Sequence, residues 1–451
     1  MKNQVHWHQK FAMLFLVTFS LFFSGCEKDI FDNGEGGSPP DKASRANSAV
    51  ATGWYDLQLQ MIIKANPGLN PILLTRAWGY IGTGLYESVR PGIRNSVSLS
   101  QKLYQMPVMP APEKNKGYSW EVSANATMAR LIGFFYPAAV VTSNQQRIDS
   151  LEAFFNEAHR PGVESAVFLR SREFGHAIAD AIIAWSKTDN SNLTNTGYVP
   201  PVFPGAWEPT PPANANGLCP FFGNTRPFLQ KHLQVIAPPF PHAYSEDQNS
   251  EFYKMQKGMC DVSQSLTEAQ RNIALYWNDV GVGVGYSPPG HSVSILTQII
   301  KQKKLDLGKA AIAYAKTGIA LMDASVAGFK SKYTYNMLRP VTYIKRVIDP
   351  AWNPLITTPP HPEYPAAHAF LTQAFMQTMT GIFGENFSFT DNTYGLKYGG
   401  PRTFPSFNAA AEECGLSRNY GGIHYPPSIA AGLQLGKQIG QGVNDLELVR
   451  P

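Results

Sequence analysis

Lys332-Tyr-Thr-Tyr-Asn-Met-Leu-Arg339-Pro340 closes a segment in which Ile312, Ala315, Ile319, Met322, Val326 and Phe329 recur at three-four spacing. That period predicts a helix over about 309–337, packed by one apolar face in a bundle. Lys332 and Arg339 stand seven positions apart, about two helical turns, so both cations are expected on one face at the helix's C-terminal end. A proline-rich stretch follows, His361-Pro-Glu-Tyr-Pro365-Ala366-Ala367-His368, and after it Leu371, Phe375, Met379 and Ile382 keep helical spacing. His368 therefore sits where a helix begins, at free backbone N–H groups and a positive dipole end that favour an anion. Ser417-Arg418-Asn-Tyr-Gly-Gly-Ile-His424 adds a third cation and another histidine beside a glycine pair. Three cations, a helix start and two histidines suit a multiply charged tetrahedral oxyanion, whose charge is costly to desolvate unless it is paired.

The order Lys-x6-Arg-Pro, Pro-x-x-His, Ser-Arg-x5-His resembles the signature of the superfamily that unites vanadium-dependent haloperoxidases with type 2 phosphatidic acid phosphatases. The resemblance implies an all-α helical bundle with its site at helix ends in the C-terminal half. It implies an oxyanion, vanadate or phosphate, bound by Lys332, Arg339, Arg418 and the backbone N–H of Ala367, with His424 as the axial group and protein ligand of vanadium. His368 is implied on the opposite side as general acid and base. His361, seven residues before His368, is similar to a position that lies beside the cofactor in related haloperoxidases, where histidine resembles the bromide- or iodide-oxidising kind. Phe329 stands where the soluble members tend to carry tryptophan, and His291 is a further candidate for the cavity wall.

Two departures mark this chain. Ala366 and Ala367 stand where the family motif usually has Ser-Gly, which removes a hydroxyl from the oxyanion's surroundings. Ser428 stands where an aspartate usually follows the axial histidine by four residues, and that carboxylate would orient the imidazole.

The rest of the chain fits this frame. Its 451 residues are 43% hydrophobic and 12% aromatic, enough for a large core. A net charge of only +5 with no dense basic run gives nucleic-acid binding no support. An apolar run over 11–23, preceded by Lys2 and Lys10, is too short to span a bilayer and reads as a signal peptide. Ser24-Gly25-Cys26 resembles a bacterial lipobox, although Phe23 departs from the usual aliphatic residue. The expectation is a leader over 1–25, lipidation of Cys26, a flexible tether over 26–45, and a helical body over 46–451 hung from a membrane towards the outer-membrane side. That body divides into an N-terminal helical part, about 46–245, and a part carrying the site, about 246–451. Of the remaining cysteines, Cys219, Cys260 and Cys414, one pair could form a disulfide, and their spacing matches no zinc pattern.

Helical spacing also marks two helices over 48–89 broken at Asn66-Pro67-Gly68, and others near 122–135, 143–158, 163–185, 251–262 and 267–279. Thr267 and Gln270 fit a capping box. Pro426-Pro427 opens a helix whose Ser428, Gly432, Gly436 and Gly440 make one smooth face. The span 189–242 reads as an unusually long loop, and such loops are often functional. Within it, Trp207 to Pro212 and Gly223 to Phe228 resemble a segment of soluble bacterial haloperoxidase-like proteins. Gly281-Val-Gly-Val-Gly285, running on to Ser287-Pro-Pro-Gly-His291, reads as flexible loop, and no stretch alternates as a strand.

Three functions follow as expectations. The leading one is a haloperoxidase that uses vanadate, hydrogen peroxide, halide and a small organic acceptor. A second is an acid phosphatase working through a phosphohistidine with phosphate as substrate. The third is a non-catalytic surface lipoprotein with a degenerate site. The soluble body of nearly 300 residues ahead of Lys332 favours the first, because membrane lipid phosphatases set these motifs among transmembrane helices.

Overall fold

The computed structural model describes residues 43–280 and 285–450. The leader, Cys26, most of the tether and residues 281–284 of the glycine run lie outside them. Helices α1 (Ala49–Lys64) and α2 (Pro71–Val89) flank the expected break. Pro71 takes the first helical position, and the Asn70 side chain accepts the Ile72 N–H at 2.9 Å. Helices α3 (Trp120–Phe135), α4 (Ala138–Ala158) and α5 (Ser165–Ser186) complete the N-terminal part. The long connection that follows contains only short 3-10 turns before α6 (Glu251–Gln264) and α7 (Glu268–Tyr276), and α7 opens with the expected Thr267–Gln270 capping box.

Helix α8 (Pro288–Lys303) begins inside the stretch expected to be loop: two prolines at its start punctuate the chain but also preset the first helical turn. Helix α9 (Leu307–Tyr335) is buried along nearly its whole length. Helix α2 lies directly on it: a Cβ placed on Gly82 would stand 2.5 Å from the Tyr314 carbonyl oxygen. Helices α10 (Pro340–Val347) and α11 (Ala367–Phe383) follow, then the strands β1 (Phe389–Asp391) and β2 (Arg402–Phe404), then α12 (Phe407–Tyr420) and α13 (Pro426–Asn444).

The all-α reading holds, with one correction: β1 and β2 pair antiparallel, Phe389 opposite Phe404. Three residues per strand are too few for a period of two to show. The smooth face expected on α13 is real. Cβ atoms on Gly432, Gly436 and Gly440 would meet the carbonyl oxygens of Ala366, Phe370 and Ala374 at 2.8, 2.5 and 2.7 Å, so α13 lies backbone to backbone on α11. Cys219, Cys260 and Cys414 are each buried and free, so the disulfide allowed by their number does not form among them. No described helix is long and apolar enough to cross a membrane.

Helix α9 stops at Tyr335, because Asn336 turns left-handed (φ 43°) as its C-terminal cap. Arg339 is therefore not on that helix. It is the N-cap residue of α10, and the expectation that one helical face presents both cations is corrected.

The long connection is pinned across the middle and end of α9. The Asp323 carboxylate accepts the N–H groups of Phe228 (2.6 Å) and Leu229 (3.0 Å) and faces His232 Nδ1 at 2.7 Å. Tyr333 donates to the Leu218 carbonyl at 2.6 Å.

Candidate active site

Lys332, in the last turn of α9, is fully buried. Its ammonium donates to the carbonyls of Pro362 (2.8 Å), Glu363 (3.0 Å) and Pro365 (2.5 Å), which ties the proline-rich stretch to the helix end. Arg339 uses its whole guanidinium fork. Nε reaches the His361 carbonyl (2.9 Å), Nη1 reaches the Ile423 carbonyl (3.0 Å) and His424 Nε2 (3.1 Å), and Nη2 reaches the Pro359 carbonyl (3.2 Å) and His361 Nδ1 (3.0 Å). Arg418, in the last turn of α12, donates through Nη1 to the Trp277 carbonyl (3.0 Å) and to His368 Nε2 (2.8 Å). Its Nε is buried without a hydrogen-bond partner among the described residues.

All three cations are buried, yet among the described residues none forms an ion pair with a carboxylate. Burial pushes Lys332 well below its ordinary pKa, and Arg339 beside it adds to the shift. Burial also lowers Arg339, to about 10.

Burial and the neighbouring cations hold His361, His368 and His424 towards the neutral form. His424 lies between α12 and α13, and burial, followed by Arg339 and Lys332, holds it well below the usual histidine range. Its Nδ1 faces Glu363 Oε1 at 2.8 Å, and the same oxygen accepts the Tyr425 N–H at 3.0 Å. An arginine can only donate, so His424 Nε2 accepts from Arg339 and the imidazole proton sits on Nδ1, towards Glu363. Burial raises the Glu363 carboxyl to about 7 against the opposing pull of Arg339 and Lys332.

His368 occupies the first turn of α11. Burial and Arg418 hold its pKa well below the usual range, and Nε2 lies 3.8 Å from Asp279 Oδ2. His361 is buried and likewise depressed, by burial and then by Lys332 and Arg339. Its ring lies 5.7 Å from that of Phe329, centroid to centroid. Ala367 is the first residue of α11, and its N–H belongs to the turn that has no acceptor within the helix. The preceding residue, Ala366, donates its N–H to the Ser428 carbonyl at 3.1 Å.

The fold thus gathers Lys332, Arg339, His361, Ala367, His368, Arg418 and His424, with Phe329 against His361. His291 is not beside these cations. It lies behind His368, between Asp279 and Asp391. Glu363, Asp279 and Asp391 escaped the sequence reading. Glu363 carried a signal, as the one acidic residue inside the His361–His368 stretch, whereas Asp279 and Asp391 carried none. Glu363 supplies the carboxylate that Ser428 lacks.

The arrangement can hold a tetrahedral oxyanion among three cations and a helix start, with a neutral imidazole presenting a lone pair from a fixed ring. The family model of the VCPO second helical-bundle domain matches residues 313–448. The crystal structure of a bacterial vanadium-dependent iodoperoxidase superposes with a TM-score of 0.81 at 31% identity, covering 90% of this chain and 98% of that one. A bacterial vanadium-dependent chloroperoxidase in its holo form superposes with a TM-score of 0.63 at 15% identity, covering 90% and 95%, a likeness of fold. No curated protein sequence matches the chain.

Proposed function

Because the chain belongs to the vanadium haloperoxidase superfamily, we propose that it is a vanadate-dependent peroxidase that oxidises halide with hydrogen peroxide. The balance is one peroxide, one halide and one proton giving a hypohalous acid and water, and the hypohalous acid then halogenates a small organic acceptor. The observation that carries this reading is the cluster of three buried cations that, among the described residues, have no ion pair with a carboxylate. Buried charge is costly unless it is balanced. An oxyanion bound among them balances it, and the unpartnered Nε of Arg418 is a donor already in place.

Vanadate bound here supplies Lewis-acid polarisation of peroxide without changing its own oxidation state. The chain's part is to hold and to handle protons. Lys332, Arg339 and Arg418 neutralise the oxyanion, and the Ala367 N–H at the start of α11 adds a donor. His424 would hold vanadium through Nε2, whose lone pair here accepts from Arg339, and Glu363 fixes the ring through Nδ1. His368, neutral and within reach of Arg418 and Asp279, accepts a proton from peroxide and returns it to the departing oxygen. His361 and Phe329 form the wall on the halide's side.

The second reading, hydrolysis of a phosphate ester through a phosphohistidine, draws on the same lone pair of His424, which is also what a nucleophile requires. A degenerate site is disfavoured by Glu363, which restores the carboxylate missing at Ser428. The deciding experiment loads the purified protein with orthovanadate and follows peroxide-dependent bromination and iodination, beside phosphate-ester hydrolysis by the vanadate-free protein. The expected result is halide oxidation that needs vanadate and is lost in His424→Ala. Hydrolysis inhibited by vanadate, without halide oxidation, would move the assignment to a phosphatase. Anchoring through a lipid on Cys26 belongs to the same proposal, and Cys26→Ser should move the protein from the membrane to the soluble fraction.

A further inference from the structure

Behind His368 lies a buried group of charges of which the mechanism above uses only Asp279. His291, in the first turn of α8, is fully buried, with Nδ1 2.9 Å from Asp279 Oδ1 and Nε2 2.6 Å from Asp391 Oδ2. Both ring nitrogens face carboxylate oxygens, so both donate and the ring is an imidazolium. Burial alone would lower its pKa, but the two carboxylates override burial and raise it to about 10. Asp391 is fully engaged: Oδ2 also accepts from Tyr276 (2.6 Å), and Oδ1 accepts the N–H and hydroxyl of Thr393 (2.9 and 2.6 Å). Asp279 is engaged at one oxygen only. Its Oδ1 takes His291 and the Tyr394 hydroxyl. Its Oδ2 is buried without a hydrogen bond among the described residues and stands 3.8 Å from His368 Nε2. The indole of Trp277 lies over His291 at 4.6 Å between centroids, and Tyr394 packs at 4.9 Å.

We propose that His291 is a positioning residue for His368: clamped between Asp279 and Asp391, it fixes the free oxygen of Asp279 towards His368 and cancels part of the charge that this carboxylate presents there. The inference rests on the peroxidase reading only in taking His368 as the group that handles protons. The clamp also gives the β1–β2 hairpin a purpose, because Asp391 is the last residue of β1. A merely structural bridge has no need to leave a carboxylate oxygen unpaired against the one histidine of α11.

The charges set the test. His291 faces Asp279, Asp391, Tyr276 and Tyr394, with Arg402 acting on Tyr276 from β2. His368 faces Asp279, Arg418, His291 and Arg339, and its carbonyl faces the neutral thiol of Cys414. Two carboxylates and one imidazolium leave one net negative charge behind His368. His291→Gln leaves two and should raise the proton affinity of His368 about tenfold, one pKa unit. Tyr394→Phe strips a donor from Asp279 and should raise it by less. Asp391→Asn removes a negative charge and should not raise it.

The readout is the NMR titration of the His368 ring in vanadate-free protein, assigned by its loss in His368→Gln, so failure of the peroxidase reading would leave it untouched. Upward shifts in His291→Gln and Tyr394→Phe, absent in Asp391→Asn, establish the role. An unmoved His368 in all three variants, or the same shift in all three, overturns it. If His291→Gln does not fold, Tyr394→Phe against Asp391→Asn makes the same distinction.

Discussion

The axial imidazole shows how one residue can take over a task that the sequence assigns to another position. Ser428 removes the carboxylate expected one turn beyond His424, yet Glu363, 61 positions earlier in the chain, places Oε1 2.8 Å from Nδ1. A ligating histidine depends on such a partner for its tautomer, its orientation and its basicity, and loss of the partner typically lowers metal affinity about 10–100-fold. Glu363→Gln keeps the size of the side chain and its amide oxygen can still accept the hydrogen bond from Nδ1, but it removes the ionisable carboxyl. Orthovanadate affinity measured by titration calorimetry should therefore fall towards the lower end of that range, with the fold retained by circular dichroism. An unchanged affinity would mean that Glu363 serves only to hold the Tyr425 N–H.

At the scale of elements, the sequence displays what depends on period and hides what depends on where a helix stops. The apolar stripe of α9 and the glycine face of α13 are both legible from spacing alone. The end of α9 is not, because a single left-handed Asn336 separates Lys332 from Arg339 and no apolar pattern reports it. Helix α12 carries alanine, glutamate and cysteine with no clean stripe, so Arg418 could be assigned through motif but not through an element. The pairing of His424 with Glu363, and of His291 with Asp391 100 positions away, has no local signature of any kind. The glycine face also makes a firm prediction. A methyl group on Gly436 would press to 2.5 Å from the Phe370 carbonyl and 2.8 Å from Gln373 Cβ, and backbone cannot yield as a side-chain tip does. Gly436→Ala should destabilise by about 1–3 kcal/mol, the usual range for overpacking, read as a lowered midpoint in urea at unchanged slope. It should also reduce activity, because α11 carries His368 and α13 follows His424. Stability equal to wild type would show that the two helices separate without penalty.

For the whole molecule, the consequence of three unpaired buried cations is that an anion should stabilise the fold as well as complete the site. Lys332 comes from the end of α9, Arg339 from the start of α10 and Arg418 from the end of α12, so a ligand shared by all three ties the C-terminal elements together. A ligand that binds only the folded state at a hundred times its dissociation constant adds about 2.7 kcal/mol. In a chain this long that corresponds to a rise in Tm of roughly 3 °C. Orthovanadate and phosphate, sharing tetrahedral shape and charge, should both raise Tm, while chloride at equal ionic strength should not, because screening reaches exposed charges far more than buried ones. Arg418→Ala should abolish most of the rise, since it removes the cation whose Nε is already without a partner. Thermal melts of wild type and this variant, with and without each anion, decide the matter: a Tm indifferent to both oxyanions would show that the cluster's charge is already balanced within the protein, whereas a rise retained in Arg418→Ala would place the bound anion elsewhere.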